Sequence, residues 1–153
     1  MNAPYFTAEE GAPAPLRAAL SRRVRFEEVD PLGIVWHGRY ASYFEDARVA
    51  LTDRYGIGYL DLFEKGVVAP IRKFHVDYLL SRRFRETFTV EAVLHWTEVP
   101  RLDMEFTIRN EAREVTTTGY TVQMMLDAGR NLLMLPPPFH REFLDRWRKG
   151  ELA

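Results

Sequence analysis

Asp30 and His37 stand with six residues between them, Pro31-Leu32-Gly33-Ile34-Val35-Trp36, and Gly38-Arg39-Tyr40 follows at once. Asp first, Pro second and Gly fourth is turn chemistry. From residue 37 onward the spacing becomes helical. One carboxylate and one imidazole thus sit on a tight turn that feeds a helix start, where unpaired backbone N–H groups and a positive dipole end are available. Such a place can hold a carbonyl oxygen while the carboxylate acts on the carbonyl carbon, which is acyl chemistry. Taken singly, an aspartate before Pro-x-Gly is an ordinary turn former, and a histidine beside a helix start fills a polar position. Ile34, Val35 and Trp36 between them point to a loop packed against something rather than one waving in solvent.

Other chemistries are excluded by what is missing. There is no cysteine, so disulfides, thiolate metal sites and a cysteine nucleophile are absent together. Ser21, Ser42 and Ser81 are the only serines and none lies in G-x-S-x-G, which removes the serine-hydrolase elbow. No P-loop or G-x-G-x-x-G occurs. His37, His75, His95 and His140 are scattered without metal-ligand spacing, so no metal site is expected. With 21 basic and 22 acidic residues, no global field recruits nucleic acid or an anionic membrane. No apolar run reaches the length of a membrane span, and residues 1–20 lack the pattern of a secretory signal. The expectation is a cytoplasmic protein.

The elements that must position the motif follow from periodicity. Val24, Phe26 and Glu28 alternate with Arg23, Arg25 and Glu27, which predicts a short strand. Tyr40, Tyr43, Phe44, Ala47, Ala50 and Leu51 make a helical stripe over 37–55, and Gly56 stops it. Ala41 and Val49 lie off that stripe, as expected if a sheet or a partner also covers the helix. A short helical turn is expected at 59–65. After Gly66 the period becomes two. Phe74, Val76, Tyr78 and Leu80 form one apolar set; Phe88, Val90, Ala92, Leu94 and Trp96 form the next. Met104, Phe106 and Ile108 make a third, and Tyr120, Val122, Met124 and Leu126 a fourth. A last strand is expected at 132–135, before Pro136-Pro137-Pro138. Phe139, Phe143 and Trp147 then mark an amphipathic terminal helix. Segregated helix and antiparallel strands define an α+β class. The 153 residues divide into an arm at 1–20, mobile or packed on an edge, one domain at 21–135 and a helical extension at 136–153.

The stretch Asp-Pro-x-Gly-Ile-Val-Trp-His, followed by Tyr43-Phe44-Glu45-Asp46-Ala47-Arg48, resembles the hotdog-fold acyl-CoA thioesterases of the 4-hydroxybenzoyl-CoA thioesterase family, in particular their general bacterial acyl-CoA branch. The order of elements over about 21–135 agrees, and Val68-Ala-Pro-Ile71 stands where that family starts its second strand. The resemblance implies a curved antiparallel sheet wrapped around one long central helix. It implies hydrolysis of an acyl-CoA or acyl-carrier-protein thioester, with no cofactor beyond the coenzyme A moiety of the substrate. By position, Asp30 would be nucleophile or general base. A backbone N–H at His37, with Gly38 just behind it, would polarise the thioester oxygen, where loss of one donor typically costs about 3 kcal/mol in the transition state. The His37 side chain would orient substrate or water. Gly38-Arg39 replaces the Pro-Asn or Ala-Asn pair usual in relatives, and Pro100-Arg101 replaces a small polar residue.

Coenzyme phosphates make arginines candidates: Arg82 and Arg83 in Ser81-Arg-Arg-Phe-Arg85, and Arg101. Trp36 and Tyr40, with Tyr59, could line an acyl pocket or simply pack. Glu45, at the position of a catalytic glutamate in another hotdog branch, is assigned to an ion pair with Arg48 three residues on. The resemblance further implies a homodimer or a dimer of dimers with sites at the subunit interface. Two alternatives remain at this stage: a hotdog-type enoyl thioester hydratase or dehydratase, whose glycine-rich signature is missing, and a non-catalytic acyl-thioester-binding domain.

Overall fold

The structure, a computed structural model, describes residues 4–152; residues 1–3 of the arm and Ala153 of the extension lie outside the described residues. In chain order it comprises β1 (Leu16–Arg23), α1 (Tyr40–Arg54), α2 (Tyr59–Glu64), β2 (Val67–Val68), β3 (Ile71–Tyr78), β4 (Thr87–His95), β5 (Arg101–Asn110), β6 (Val115–Met124), β7 (Leu126–Asp127) and α3 (Pro138–Arg148). Five strands form an antiparallel sheet in the order β1-β4-β5-β6-β3, and β2 pairs with β7. The class is α+β, as expected. No helix of the described residues is long and apolar enough to cross a membrane.

Helix α1 lies across one face of the sheet. Tyr43, Phe44, Ala47 and Leu51, on one helical face, are completely buried against Phe88, Val90, Leu94, Met104, Phe106 and Ile108 from alternate positions of β4 and β5. The Phe44 and Phe106 rings stack 4.5 Å apart. Phe44 comes this close to β6 because Gly119 is there: a Cβ at that position would lie 2.5 Å from the Phe44 ring and collide with the His75 carbonyl oxygen.

Strand β6 reverses the expected face. Thr117, Gly119, Thr121 and Gln123 point to the helix and are buried, whereas Tyr120, Val122 and Met124 point outward. The cause is Arg48, whose guanidinium is carried into the core by α1. A buried cation demands acceptors, and β6 supplies them: Arg48 donates to Gln123 Oε1 and to Thr121 Oγ1 at 3.1 Å. Gln123 donates in turn to the Ala69 carbonyl at 2.7 Å. Glu45 closes the ion pair with Arg48 at 3.1 Å.

The N-terminal segment also departs from expectation. The first strand is not 24–28 but β1, which pairs with β4 over all eight residues and puts the 20/21 boundary inside a strand. Past Arg23 the chain leaves the sheet, because the buried Glu28 carboxylate accepts the Arg25 N–H at 2.7 Å and winds Phe26–Glu28 into a 3-10 turn. Ahead of β1, Tyr5 and Phe6 lie on the outer face of the sheet rather than on its edge. Tyr5 donates to Asp77 Oδ2 at 2.6 Å, and both rings pack on Tyr120. The apolar side of β6 that faces away from the helix is covered in this way. Burial and the Asp77 hydrogen bond push the Tyr5 hydroxyl up to about 12.

Residues 132–135 form no strand. The Asp127 carboxylate accepts the Asn131 N–H at 2.9 Å and closes a tight loop, after which only one bridge, Leu126 to Leu132, is made. Helix α3 buries Phe143, Leu144 and Trp147 as its sequence period requires.

Candidate active site

The Asp30 loop is a small hairpin stapled on both flanks. Gly33, at φ +77, returns its N–H to the Asp30 carbonyl at 2.9 Å, and the Asp30 N–H bonds the Ile34 carbonyl at 2.9 Å. A bridge joins Val29 to Val35, and another joins Ile34 to Arg83. The Val35 N–H reaches the Arg82 carbonyl at 2.8 Å and the Trp36 N–H the Glu28 carbonyl at 2.9 Å. Val35 is buried, which fulfils the expectation of a packed loop. Asp30 itself is half-buried, and its Oδ1 accepts the Leu32 N–H at 2.9 Å. Its other oxygen carries no hydrogen bond among the described residues. The side chain therefore serves as a turn former with one oxygen and keeps the second available.

His37–Arg39 form a 3-10 turn that runs into α1. The first hydrogen bond of that turn goes from the Arg39 N–H to the Trp36 carbonyl at 2.9 Å. The His37 and Gly38 N–H groups precede it and are the orphan donors of the helix start. Such donors point back along the helix axis. The Trp36 ring lies on Gly38 so closely that only glycine fits beneath it.

Asp30, His37 and Tyr40 line one cleft of about 270 Å³ together with Tyr78 and the apolar side chains of Leu32, Ile34, Val35, Leu79 and Leu80. Tyr78 closes it. Its hydroxyl donates to the His37 carbonyl at 2.7 Å, and its ring meets Tyr40 edge-on with centroids 5.0 Å apart. Because the peptide is planar and trans, a fixed His37 carbonyl also fixes the Gly38 N–H that points the opposite way. Burial raises the Tyr78 hydroxyl above the ordinary phenol value, so it remains a donor at neutral pH. Tyr40 is buried beneath it, and its hydroxyl is raised by the same cause. The cleft thus combines a carboxylate oxygen, the residue that opens a helix and apolar walls. That is what attack on a carbonyl with stabilisation of the resulting oxyanion requires.

The remaining candidates separate. Trp36 covers Gly38 and is not part of the cleft lining. Arg82 is buried and ion-paired to Glu86 at 2.8 Å, so it supports the loop from behind and presents nothing to a phosphate. Arg83 is exposed and adjoins the loop through its bridge to Ile34. Arg101 pairs with Asp103 at 3.0 Å at the Ile71 end of the sheet, about 23 Å along β3 from Tyr78 at 3.3 Å per residue. The sequence marks Tyr78 only as one large side chain of an alternating strand, with no signal of a functional role. Among the described residues no group of three or more histidines, aspartates and glutamates is arranged to hold a metal ion.

The chain is similar to known proteins in sequence and in fold. The model of the thioesterase-like superfamily matches residues 24–146. A Bacillus subtilis relative carrying an acyl-CoA thioesterase name is 37% identical over 76 residues, 49% of this chain and 52% of its own length. A Synechocystis relative carrying an esterase name is 27% identical over 125 residues, 80% of this chain and 75% of its own. The matched stretch thus spans about half of the Bacillus relative. Among solved structures, a DHNA-CoA thioesterase from Staphylococcus aureus superposes with a TM-score of 0.76 at 24% identity, covering 88% of this chain and 93% of that one. The fold is the hotdog fold of these thioesterases.

Proposed function

We propose that this chain, which belongs to the thioesterase-like superfamily, hydrolyses an acyl thioester to a carboxylic acid and a free thiol. One observation carries the reading: Asp30, with one carboxylate oxygen unengaged, and His37, the first residue of the helix start, line a single cleft. The thioester oxygen would sit at the His37 and Gly38 N–H groups, where developing negative charge is favoured. Asp30 would attack the carbonyl carbon, or take a proton from a water that does; the tetrahedral intermediate then collapses with departure of the thiolate. If Asp30 attacks, the mixed anhydride it forms is opened by water in a second step. A single turnover in ¹⁸O-water separates the two routes, because only the anhydride route can leave label on Asp30. The Trp36 ring over Gly38 and the Tyr78 hydroxyl on His37 would hold the donor pair still, and the exposed His37 side chain would orient substrate or water at the mouth. The relatives' names support thioester or ester hydrolysis, and the acyl group is open.

The same reading includes a homodimer. Strand β3 is a sheet edge, and its helix-facing Phe74 and Tyr78 are about half exposed; Val49 on α1 is exposed as well. An edge with large apolar side chains calls for a cover, and a second copy of this chain supplies one with the same chemistry. The test of the activity is thiol release from a panel of acyl-CoAs with enoyl-CoA absorbance read in parallel. Free thiol supports the hydrolase; loss of the enoyl chromophore without thiol release would replace it with a hydratase.

A further inference from the structure

The N-terminal arm grips the back of the strand whose front closes the cleft. Tyr5 meets His75 of β3 and Tyr120 of β6 with ring centroids 5.6 and 4.9 Å apart. Phe6 meets Tyr120 again and His95 of β4, at 5.5 and 5.3 Å. Strand β5 runs between β6 and β4, so two consecutive side chains of the arm reach across the outer face from β3 to β4. The other end of the arm is tied as well: the Trp147 indole N–H of α3 donates to the Ala14 carbonyl at 2.9 Å, and β1 begins at Leu16. The arm lies ahead of residues 24–146, the stretch that the superfamily model matches.

The Tyr5 hydroxyl is committed to a single point of the sheet. It donates to Asp77 Oδ2 at 2.6 Å and accepts from the Thr118 hydroxyl at 2.7 Å. Asp77 and Thr118 face each other in the β3–β6 ladder, so one phenol oxygen staples the two strands together. His75 Nε2 reaches the same Asp77 oxygen at 2.9 Å. The hydrogen bonds from Tyr5 and His75 hold the Asp77 carboxyl below the ordinary carboxylate value, and it stays an acceptor at neutral pH.

Only one pair of the ladder lies beyond this staple, Tyr78 with Thr117. Strand β3 is at the edge of the sheet, with β6 as its neighbour, and strand ends at an edge are where local opening is cheapest. Successive side chains alternate between faces. Asp77 therefore points to the arm while Tyr78 points to the cleft, where its hydroxyl holds the His37 carbonyl at 2.7 Å. Their Cα atoms are about 3.8 Å apart by covalent geometry, so an opening at Asp77 carries Tyr78 with it. Leu79 and Leu80 follow at once, and both N–H groups bond the Thr116 carbonyl, at 3.0 and 2.9 Å.

We infer that Tyr5 is a positioning residue of the cleft: by stapling Asp77 to Thr118 it keeps the end of β3 closed and Tyr78 seated on the His37 carbonyl. Its effect on rate rests on the thioesterase reading of that cleft. Because the arm grips the outer face, it leaves the β3 edge free for a second copy.

The test uses the full chain as Tyr5→Phe, Tyr78→Phe and the double variant. Phenylalanine at 5 keeps the ring on Tyr120 and removes only the hydroxyl. Amide hydrogen exchange at Leu79 and Leu80 should speed up about fivefold in Tyr5→Phe, the size of one hydrogen bond to a half-exposed carboxylate, while Leu62 and Lys65 of α2 keep their parental rates. In thiol release, kcat should fall about threefold with KM unchanged, and the double variant should be no slower than Tyr78→Phe alone, because Tyr5 acts through Tyr78. Parental exchange at Leu79 and Leu80 overturns the inference. So does a change confined to KM, which would put the arm on the substrate, or a double variant as slow as the product of the two single losses. If the parent releases no thiol, the hydrolase reading fails on its own. The exchange rates then decide the staple by themselves: local acceleration at Leu79 and Leu80 upholds it, and parental rates overturn it.

Discussion

A single methyl group at Gly38 puts the helix start under a measurable load. A Cβ there would lie 2.8 Å from Trp36 Cε3 and nearer still to Cζ3 and Cη2, whereas unstrained carbon atoms approach to about 3.5 Å. Either the ring or the turn must retreat by roughly 1 Å. Trp36 is 47% exposed, so a swing into solvent gives up the buried half of its side chain, ~100 Å², worth up to ~2.5 kcal/mol at 25 cal/mol per Å². In Gly38→Ala that corresponds to a Tm lower by up to about 5–10 °C. If the turn moves instead, the N–H donors leave their alignment, and a shift of this size typically lowers kcat about a hundredfold. The assay is thermal melting, thiol release and indole emission on Gly38→Ala, Trp36→Ala and the double variant. Removal of the ring opens the space, so the double variant should return to within a few-fold of the Trp36→Ala kcat while stability stays low. A Gly38→Ala protein with parental Tm and kcat would refute the tight stacking. A double variant that stays as slow as Gly38→Ala would refute its link to the donors.

Three further outcomes are expected. Tyr78→Phe keeps the edge contact with Tyr40 and loses only the bond to the His37 carbonyl; kcat should fall about fivefold with KM nearly unchanged and no more than ~1.5 kcal/mol of stability lost, and an unaltered kcat speaks against a positioning role. Phe74→Lys on the β3 edge should give monomers in sedimentation at concentrations where the parent is dimeric, and an unchanged dimer would move the interface elsewhere. His140 is buried without a hydrogen-bond partner, and burial pulls it down to about 4. A folded value below the unfolded 6.5 means that the unfolded chain takes the proton first. Its contribution is therefore intact above pH 6.5 and is lost as pH falls toward 4, by up to ~3 kcal/mol. The stability lost between pH 7 and 4 should be smaller in His140→Phe than in the parent, and equal losses in chemical denaturation would contradict the assignment.

The parts of the site that were legible in the sequence are those built by neighbours along the chain. Asp30, Gly33, His37, Gly38 and Tyr40 announce a turn, a helix start and its first apolar residue, and local hydrogen bonds place them as their types require. What depends on distant partners was not legible. Alternation alone sends the apolar residues of β6 to the core, but Arg48, 73 residues before its Thr121 partner, needs acceptors there and turns the strand over. Arg82 and Arg83 look alike in sequence, yet an ion pair to Glu86 buries the first and leaves the second outside. The alternation at 24–28 is real, but Glu28 spends its carboxylate on the Arg25 N–H and ends the strand before it. The longer run at 16–23 reads as part of an arm until β4 is seen beside it. Tyr78 escaped because nothing local tells a core tyrosine from one that reaches across to a helix start.

The most direct measurement is thiol release from an acyl-CoA substrate by the parent and by Asp30→Asn, with melting curves for both. Asparagine retains the oxygen that accepts the Leu32 N–H, so the turn and the Tm should survive, and the absence of cysteine lets a thiol reagent see only the released carrier. The account predicts turnover by the parent and a loss of about a hundredfold or more in kcat for the variant at unchanged stability. Turnover that survives the substitution in a fully folded protein would contradict it and remove Asp30 from the chemistry.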